Sequence, residues 1–145
     1  MIKEVDILLV EDSEIDAELT IWSLNKINLG NKLFHVRDGS EALDFIFKRG
    51  IYEDMNSANP KVILLDIKMP KVDGLEVLRQ LKENEQTRSI PVVIMTSSRE
   101  EQDIIKSYKY GVNSYVVKPV EFGNFAKAVS DLGLYWLITN HVPGK

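Results

Sequence analysis

The sequence contains no cysteine, which excludes a disulfide framework, a cysteine-bearing zinc site and thiol catalysis. No apolar run approaches the roughly 18 residues of a membrane span, and charged residues interrupt the amino terminus where a signal peptide would need an apolar stretch. Basic residues are not in excess, since 18 Lys and Arg stand against 22 Asp and Glu. We therefore expect a soluble, cytoplasmic protein with no membrane partner and no nucleic-acid partner.

Several catalytic motifs are missing as well. No Gly-rich loop ends in Gly-Lys-Ser/Thr, which excludes a P-loop nucleoside triphosphatase. His35 and His141 cannot be assembled convincingly into a Ser/His pair for acyl transfer. A flavodoxin-like carrier needs a phosphate-cradling loop of Gly, Ser and Thr after the first strand, and the acidic residues Glu11, Asp12 and Glu14 would repel phosphate there.

What the sequence does contain is an alternation of short apolar runs with segments of helical spacing. The runs predict five strands: Val5–Val10, Lys32–Val36, Val62–Leu65, Val92–Met95 and Tyr115–Val117. Apolar stripes predict helices at 17–27, 42–47, 75–81, 104–108 and 122–136. This order favours a single α/β domain over residues 1–145 with a doubly wound parallel sheet.

Two segments depart from the regular pattern. Gly50–Pro60 is longer than a typical helix-to-strand loop, and we interpret it as an ordered surface insertion near residues 50–60. The last helix, near residues 121–139, is apolar nearly all round, which is more than one sheet-facing stripe requires. Tyr135 and Ile138 could pack beneath the insertion, or this helix could form a homodimer interface.

Chemistry concentrates at the predicted strand ends, where ligands bind in doubly wound sheets. The first strand leads into Glu11 and Asp12, the third into Asp66, the fourth into Thr96 and the fifth into Lys118. Each residue alone has an ordinary explanation as a helix cap, a turn residue or a solvated lysine. Together, however, the clustered carboxylates need a cation, and an oxygen-only ligand set suits Mg²⁺. An aspartate beside Mg²⁺, an ammonium and a hydroxyl could accept a phosphoryl group.

These motifs resemble the receiver domain of two-component response regulators over nearly the whole chain, to about residue 135. The resemblance rests on the segments 8–12, 64–70, 73–74, 96–97 and 117–119, which read LLVED, LLDIKMP, DG, TS and VKP. The inserted loop is similar to that of single-domain regulators which serve phytochrome-type kinases. The resemblance implies a flavodoxin-like receiver fold with strand order 2-1-3-4-5.

The resemblance also implies roles for individual residues. Asp66 would accept a phosphoryl group from a phosphohistidine, and Lys118 and Thr96 would neutralise the phosphoryl oxygens. The Mg²⁺ ligands would be Glu11, Asp12, Asp66 and the backbone carbonyl of Lys68. Thr96 and Tyr115 would form the switch, and the Lys118-Pro119 peptide bond is expected to be cis.

The expected function is that of a stand-alone response regulator which receives its phosphoryl group from a sensor histidine kinase and changes its protein contacts. An alternative is a relay receiver that passes the group to a downstream histidine-containing protein. An enzyme acting on external substrates is disfavoured, because haloacid dehalogenase-type hydrolases need a second acid where this chain has Lys68. A DNA-binding regulator would require further residues for a helix-turn-helix.

Overall fold

The computed structural model describes residues 5–26, 32–55, 58–97 and 114–133. The strands are β1 (Ile7–Val10), β2 (Leu33–Val36), β3 (Val62–Asp66), β4 (Val92–Thr96) and β5 (Tyr115–Val117). The helices are α1 (Glu14–Asn25), α2 (Gly39–Phe47), α3 (Gly74–Glu83) and α4 (Phe122–Asp131), with a 3-10 helix at Gly50–Tyr52. The predicted helix at 104–108 lies outside the described residues. In the four described stretches, no helix is long and apolar enough to cross a membrane.

The five strands form one sheet in the order β2-β1-β3-β4-β5, and every neighbouring pair is parallel. The chain first runs from β1 outward to β2, and then returns past β1 to continue in the other direction. This reversal at β1 and β3 confirms the predicted doubly wound sheet and its strand order. It also makes the carboxyl ends of β1 and β3 the place where a ligand crevice is expected.

Both faces of the sheet are covered, because successive residues of a strand point to opposite sides. On one face, Leu8 and Val10 of β1 belong to a cluster with residues of α2 and α3. On the other face, Ile7 and Leu9 pack with residues of α1 and α4. All residues of β1, β3 and β4 are buried, as the unbroken apolar runs predict for central parallel strands.

Three helices begin with a capping side chain shortly after a strand. Ser13, Asp38 and Asp73 each accept a hydrogen bond from the backbone N–H three residues further on, at 3.2, 2.8 and 3.0 Å respectively. Such caps satisfy N–H groups that the first helical turn leaves without partners. Ser13 and Asp38 closely follow β1 and β2, so the residues at the ends of these two strands lie beside the amino-terminal turns of α1 and α2.

The inserted segment is anchored to the domain by Tyr52. Its hydroxyl donates to Glu41 Oε2 at 2.7 Å, and its ring stands edge-on to Phe34 and Phe45 at centroid distances of 6.0 and 5.2 Å. Ile51, by contrast, is 87% exposed. Tyr52 therefore belongs to the edge of the core, whereas Ile51 faces solvent. Tyr135 and Ile138, which could pack beneath this segment, lie outside the described residues.

The predicted apolar stripe of α4 is confirmed in its centre, and Leu132 just beyond the helix packs against the same core, but the stripe is wrong at Phe122. Phe125 and Val129 are fully buried, but Phe122 is 39% exposed and lines a groove together with residues of α1. The predicted helix at 122–136 includes Gly133. The helix instead ends at Asp131, and Gly133 has φ 75°, a left-handed conformation that glycine adopts readily after a helix end.

Gly74 allows the start of α3 to approach the end of β3. Its N–H donates to the Ile67 carbonyl at 2.7 Å, and a Cβ atom added at Gly74 would lie 2.1 Å from the Asp66 carbonyl oxygen. A contact this close to backbone can be relieved only by moving the strand end that carries Asp66.

We expect Gly74→Ala to lower the free energy of unfolding by roughly 1–3 kcal/mol, the usual cost of overpacking, as measured by urea denaturation. Gly123→Ala is the matched control, because a Cβ at Gly123 in α4 meets nothing within 4 Å and alanine favours a helix. Equal stability of the two variants would contradict the role of Gly74.

Candidate functional site

The strand register brings the predicted site residues to one edge of the sheet. Val10 pairs with Leu65, so Glu11 and Asp66 follow next to each other at the ends of β1 and β3. Asp66 pairs with Met95, which places Thr96 one residue beyond. Thr96 in turn pairs with Val117, which Lys118 follows. The tertiary structure thus joins four segments that are distant in sequence.

The Lys118 ammonium lies at the centre of this edge, in contact with three carboxylates. Its Nζ is 3.0 Å from Glu11 Oε1, 3.2 Å from Asp66 Oδ2 and 3.2 Å from Asp16 Oδ2. The side chains of Glu11 and Asp66 are almost completely buried, and that of Lys118 is only 13% exposed. One ammonium therefore faces two acids from which water is largely excluded, and a third, Asp16, that is partly exposed.

Glu11 also contributes to local structure. Its Oε2 accepts a hydrogen bond from the backbone N–H of Ser13 at 3.1 Å, and its carbonyl oxygen lies 2.8 Å from His35 Nε2. The ordinary explanation of Glu11 as a support of the helix start therefore holds for one of its carboxylate oxygens, but it does not account for the other. The other carboxylate oxygen of Glu11 points to Lys118, so the same side chain belongs to the acidic pocket.

The donor set of this pocket fits a hard divalent cation. Glu11, Asp12 and Asp66 each offer a carboxylate oxygen, and these atoms lie within 4.8 Å of one another. Glu11 and Asp66 are buried, whereas Asp12 is exposed, so the group opens to solvent on one side. Oxygen donors with room for water are what Mg²⁺ prefers. The three carboxylates are therefore suited to hold Mg²⁺.

The pKa of Asp66 is altered by its burial and by the neighbouring charges. Burial, followed by the negative charge of Glu11, raises the pKa of the Asp66 carboxyl to about 7, against the opposing charge of Lys118. For Lys118, burial by itself would lower the pKa of the ammonium. The charge of Asp66 and the contacts with Glu11 and Asp16 outweigh burial and raise the pKa above its ordinary value. Lys118 therefore stays charged, and this single ammonium faces three carboxyl groups.

We expect Mg²⁺ to raise the melting temperature of the wild type at pH 8, and Asp66→Asn to reduce that rise. Without cation, the folded state holds a proton on Asp66 between pH 3.8 and about 7 that the unfolded chain releases. Stability therefore falls as pH rises through this window. Since cation binding displaces the proton, the increase produced by Mg²⁺ should shrink toward pH 5.

Thermal unfolding at several pH values, with and without Mg²⁺, measures the fall of stability with pH and the stabilisation by Mg²⁺. Asp66→Asn should also melt higher than the wild type at pH 8 without cation, by roughly 3 °C for each kcal/mol of relieved repulsion. A melting temperature that is insensitive to Mg²⁺ in both proteins would contradict a cation site here.

The remaining predicted residues lie on β4 and β5 or in the loops that follow β3 and β5. Thr96 is fully buried at the end of β4. Tyr115, at the start of β5, is half-buried and packs against the cluster on the α2 and α3 face. Lys68 has an exposed side chain in the loop after β3, and the Lys118-Pro119 bond is cis, as expected.

Asp16 is the contact that sequence analysis missed. It lies in the first turn of α1, where an acid is ordinarily explained by the helix dipole. A usable signal exists in its spacing, because Ser13 and Asp16 resemble a capping box in which the acid would bond back to the Ser13 N–H. Glu11 already accepts from that N–H, which leaves the Asp16 carboxylate available to Lys118.

Comparisons with known proteins agree with this arrangement. Residues 7–130 match the family described as the response regulator receiver domain. The response regulator Rcp1 of Synechocystis sp. is 41% identical over 137 residues, covering 94% of this chain and 92% of Rcp1. Its Mn²⁺-bound crystal structure has a TM-score of 0.71 at 40% identity and covers 95% of this chain and 98% of that one.

Two further solved structures are similar. The bacteriophytochrome response regulator AtBRR has a TM-score of 0.88 and 53% identity, covering 92% of this chain and 96% of its own. The phosphorylated cyanobacterial phytochrome response regulator RcpA has a TM-score of 0.73 and 34% identity, covering 97% and 99%. On the match of residues 7–130 and on these relatives, the chain belongs to the response regulator receiver domain family, with phytochrome-associated regulators among its homologues.

Proposed function

We propose that this protein is a stand-alone response regulator that accepts a phosphoryl group on Asp66 and thereby changes its protein contacts. One observation carries the proposal. The buried Asp66 carboxylate lies 3.2 Å from the Lys118 ammonium and within a group of three acids suited to a divalent cation. This combines a nucleophile with the positive charge that phosphoryl transfer needs. Two similar structures support the proposal: that of Rcp1 is Mn²⁺-bound, and that of RcpA is phosphorylated.

In the proposed reaction, an Asp66 carboxylate oxygen attacks the phosphorus of a phosphohistidine on the donor. The new oxygen–phosphorus bond forms as the phosphorus–nitrogen bond breaks, and the imidazole nitrogen takes the electron pair and then a proton from solvent. Lys118 exchanges its contact with Asp66 for one with a phosphoryl oxygen, which lowers the charge cost of transfer. Hydrolysis by water later restores the carboxylate and releases phosphate.

The metal is proposed to be Mg²⁺, held by the carboxylates of Glu11, Asp12 and Asp66 and by the backbone carbonyl of Lys68. When bound, it supplies positive charge opposite the developing negative charge on the phosphoryl oxygens. The protein contributes the remaining neutralisation through Lys118 and the Thr96 hydroxyl. Because the catalysed steps concern only the protein's own carboxylate, this is a signalling protein and not a conventional enzyme.

The switch is proposed to involve Thr96 and Tyr115. Thr96 is buried at the site edge, and its neighbour in the register, Val117, lies on the same short strand as Tyr115. Movement of the Thr96 hydroxyl toward a phosphoryl group would alter packing at β5, and the half-buried Tyr115 ring could turn further inward. A local charge change would thus be converted into a different partner surface.

The proposal is tested by incubating the wild type with Mg²⁺ and acetyl phosphate and measuring its intact mass. We expect the mass of one phosphoryl group to be gained, removed again by hydroxylamine, which cleaves acyl phosphates, and absent when EDTA replaces Mg²⁺. A protein that gains no mass, or a modification that resists hydroxylamine, would refute the proposed function.

The donor is proposed to be a sensor histidine kinase of the phytochrome type, which the bacteriophytochrome relatives support. Transfer from such a kinase should be much faster than from an unrelated histidine kinase at equal concentration, and equal rates would reject this assignment. The downstream partner could be a second histidine-containing protein, as in a relay.

A homodimer through the last helix is a further proposal. It rests on Leu132, which follows α4 and packs against the core, and on Leu134, Tyr135, Trp136, Leu137 and Ile138, which lie outside the described residues. Analytical ultracentrifugation of the wild type, compared with a Tyr135→Glu, Ile138→Glu variant, tests it. We expect the variant to sediment as a monomer, and a wild type that is monomeric at high concentration would end the proposal.

A further inference from the structure

Asp16 is the third carboxylate on the Lys118 ammonium, and it differs from the other two. Glu11 and Asp66 both belong to the group of acids that can hold a cation, whereas Asp16 does not. A divalent ion would compete with Lys118 for the carboxylates of Glu11 and Asp66, and phosphorylation would convert the Asp66 carboxylate into an acyl phosphate. The contact of Lys118 with Asp16 Oδ2, at 3.2 Å, is left intact both by cation binding and by phosphorylation.

The position of Asp16 suits this contact for a structural reason. In a capping box, the acid three residues after the capping serine bonds back to the serine N–H. Here the Ser13 N–H donates to Glu11 Oε2, and the Ser13 hydroxyl caps the Asp16 N–H. The first turn is therefore capped without the Asp16 carboxylate, which extends from α1 to the end of β5.

We propose that Asp16 is a positioning residue that holds the Lys118 ammonium at the pocket while Lys118 transfers its contact from Asp66 to a phosphoryl oxygen. The inference rests on the proposed function and extends it to a residue outside the cation-binding acids. Without Asp16, the flexible lysine side chain keeps two of the three carboxylate partners that it has among the described residues. The ammonium then spends less time where the phosphoryl group must be neutralised.

The proposal predicts different effects for removal of the side chain and for removal of its charge. Asp16→Ala should slow phosphorylation by acetyl phosphate roughly fivefold, as expected for loss of a half-exposed charge contact of about 1 kcal/mol. Asp16→Asn keeps an oxygen that can accept from Lys118, and should restore at least half of the wild-type rate. If electrostatic repulsion of the phosphodonor were instead the main effect, both variants would react faster than the wild type, which would overturn the proposal.

Glu14→Ala is the matched control. Glu14 lies in the same first turn of α1 and experiences the same helix dipole, but its carboxylate pairs with Arg37 at 3.0 Å on the surface. If Glu14→Ala slows phosphorylation as much as Asp16→Ala does, the slower rate results from loss of an acid in the first turn of α1 and not from loss of the contact with Lys118. The positioning role is then refuted.

A second measurement is independent of phosphorylation. In nitrogen-15 NMR of the unphosphorylated, metal-free protein, a lysine ammonium held by carboxylates exchanges its protons slowly enough to be observed, and Lys118→Arg assigns the signal. Asp16→Ala should broaden or remove that signal, and Glu14→Ala should leave it. An unchanged signal in Asp16→Ala overturns the positioning role even if the wild type is phosphorylated. A changed signal in a protein that gains no phosphoryl group would support the contact while the proposed function fails.

Discussion

Asp66→Asn is expected to abolish the gain of a phosphoryl group from acetyl phosphate. The amide has no anionic oxygen to attack phosphorus, and the other acids of the pocket are placed differently. Glu11 is engaged with Ser13 and Lys118, and Asp12 is exposed. The measurement is intact mass as a function of time, with Mg²⁺ present throughout.

Asp6→Asn is a matched control for this substitution. Asp6 is another buried aspartate, 1% exposed, and its Oδ1 lies 3.3 Å from Lys61 Nζ. It precedes β1 and therefore lies at the opposite edge of the sheet from Asp66. Asp6→Asn should lower stability and still gain the phosphoryl group. If Asp66→Asn were modified as fully as the wild type, Asp66 would not be the acceptor.

Lys118→Ala is expected to slow phosphorylation by about a hundredfold or more, comparable to the loss of one electrostatic contact in a preorganised site. Two causes act together. The phosphoryl oxygens lose a cation, and Asp66 loses the charge that opposes the rise of its pKa. Because a proton then competes more strongly with Mg²⁺ for Asp66, the rate of the variant should recover partly as the pH is raised from 7 to 9.

The initial rate of mass gain across this pH range measures both effects. Lys61→Ala removes a lysine that contacts a different buried aspartate, Asp6, and should leave the rate and its pH profile as in the wild type. Lys118→Arg retains the charge but replaces a compact ammonium with a planar group, so an intermediate rate is expected. A Lys118→Ala protein that reacts at the wild-type rate would exclude Lys118 from the reaction.

The main features of the fold were predictable because buried segments are apolar, and apolar runs can be recognised in the sequence. Val62–Leu65 and Val92–Met95 are apolar without alternation, and both strands are buried on both faces. The ends of the pattern were less predictable. Phe122 continues the apolar spacing of α4 and is nevertheless partly exposed, since periodicity shows which side of a helix a residue occupies but not where the neighbouring layer ends.

The grouping of the site was also predictable, because parallel strands carry their carboxyl ends to one edge. That rule brings together Glu11, Asp66 and Lys118 before any distance is known, and the register confirms that they are neighbours. Which hydrogen bond or ion pair each acid makes could not be predicted. Whether Glu11 or Asp16 bonds to the Ser13 N–H depends on side-chain directions that only packing determines.

By itself, the sequence determined the alternation of strands and helices, the strand ends that carry chemistry and the oxygen-only character of the site, because these follow from residue type and local spacing. Only the tertiary structure decided that Lys118 contacts three carboxylates and that α3 approaches β3 closely enough to require Gly74. Those facts depend on distances between segments far apart in the chain, which close packing establishes and local patterns do not record.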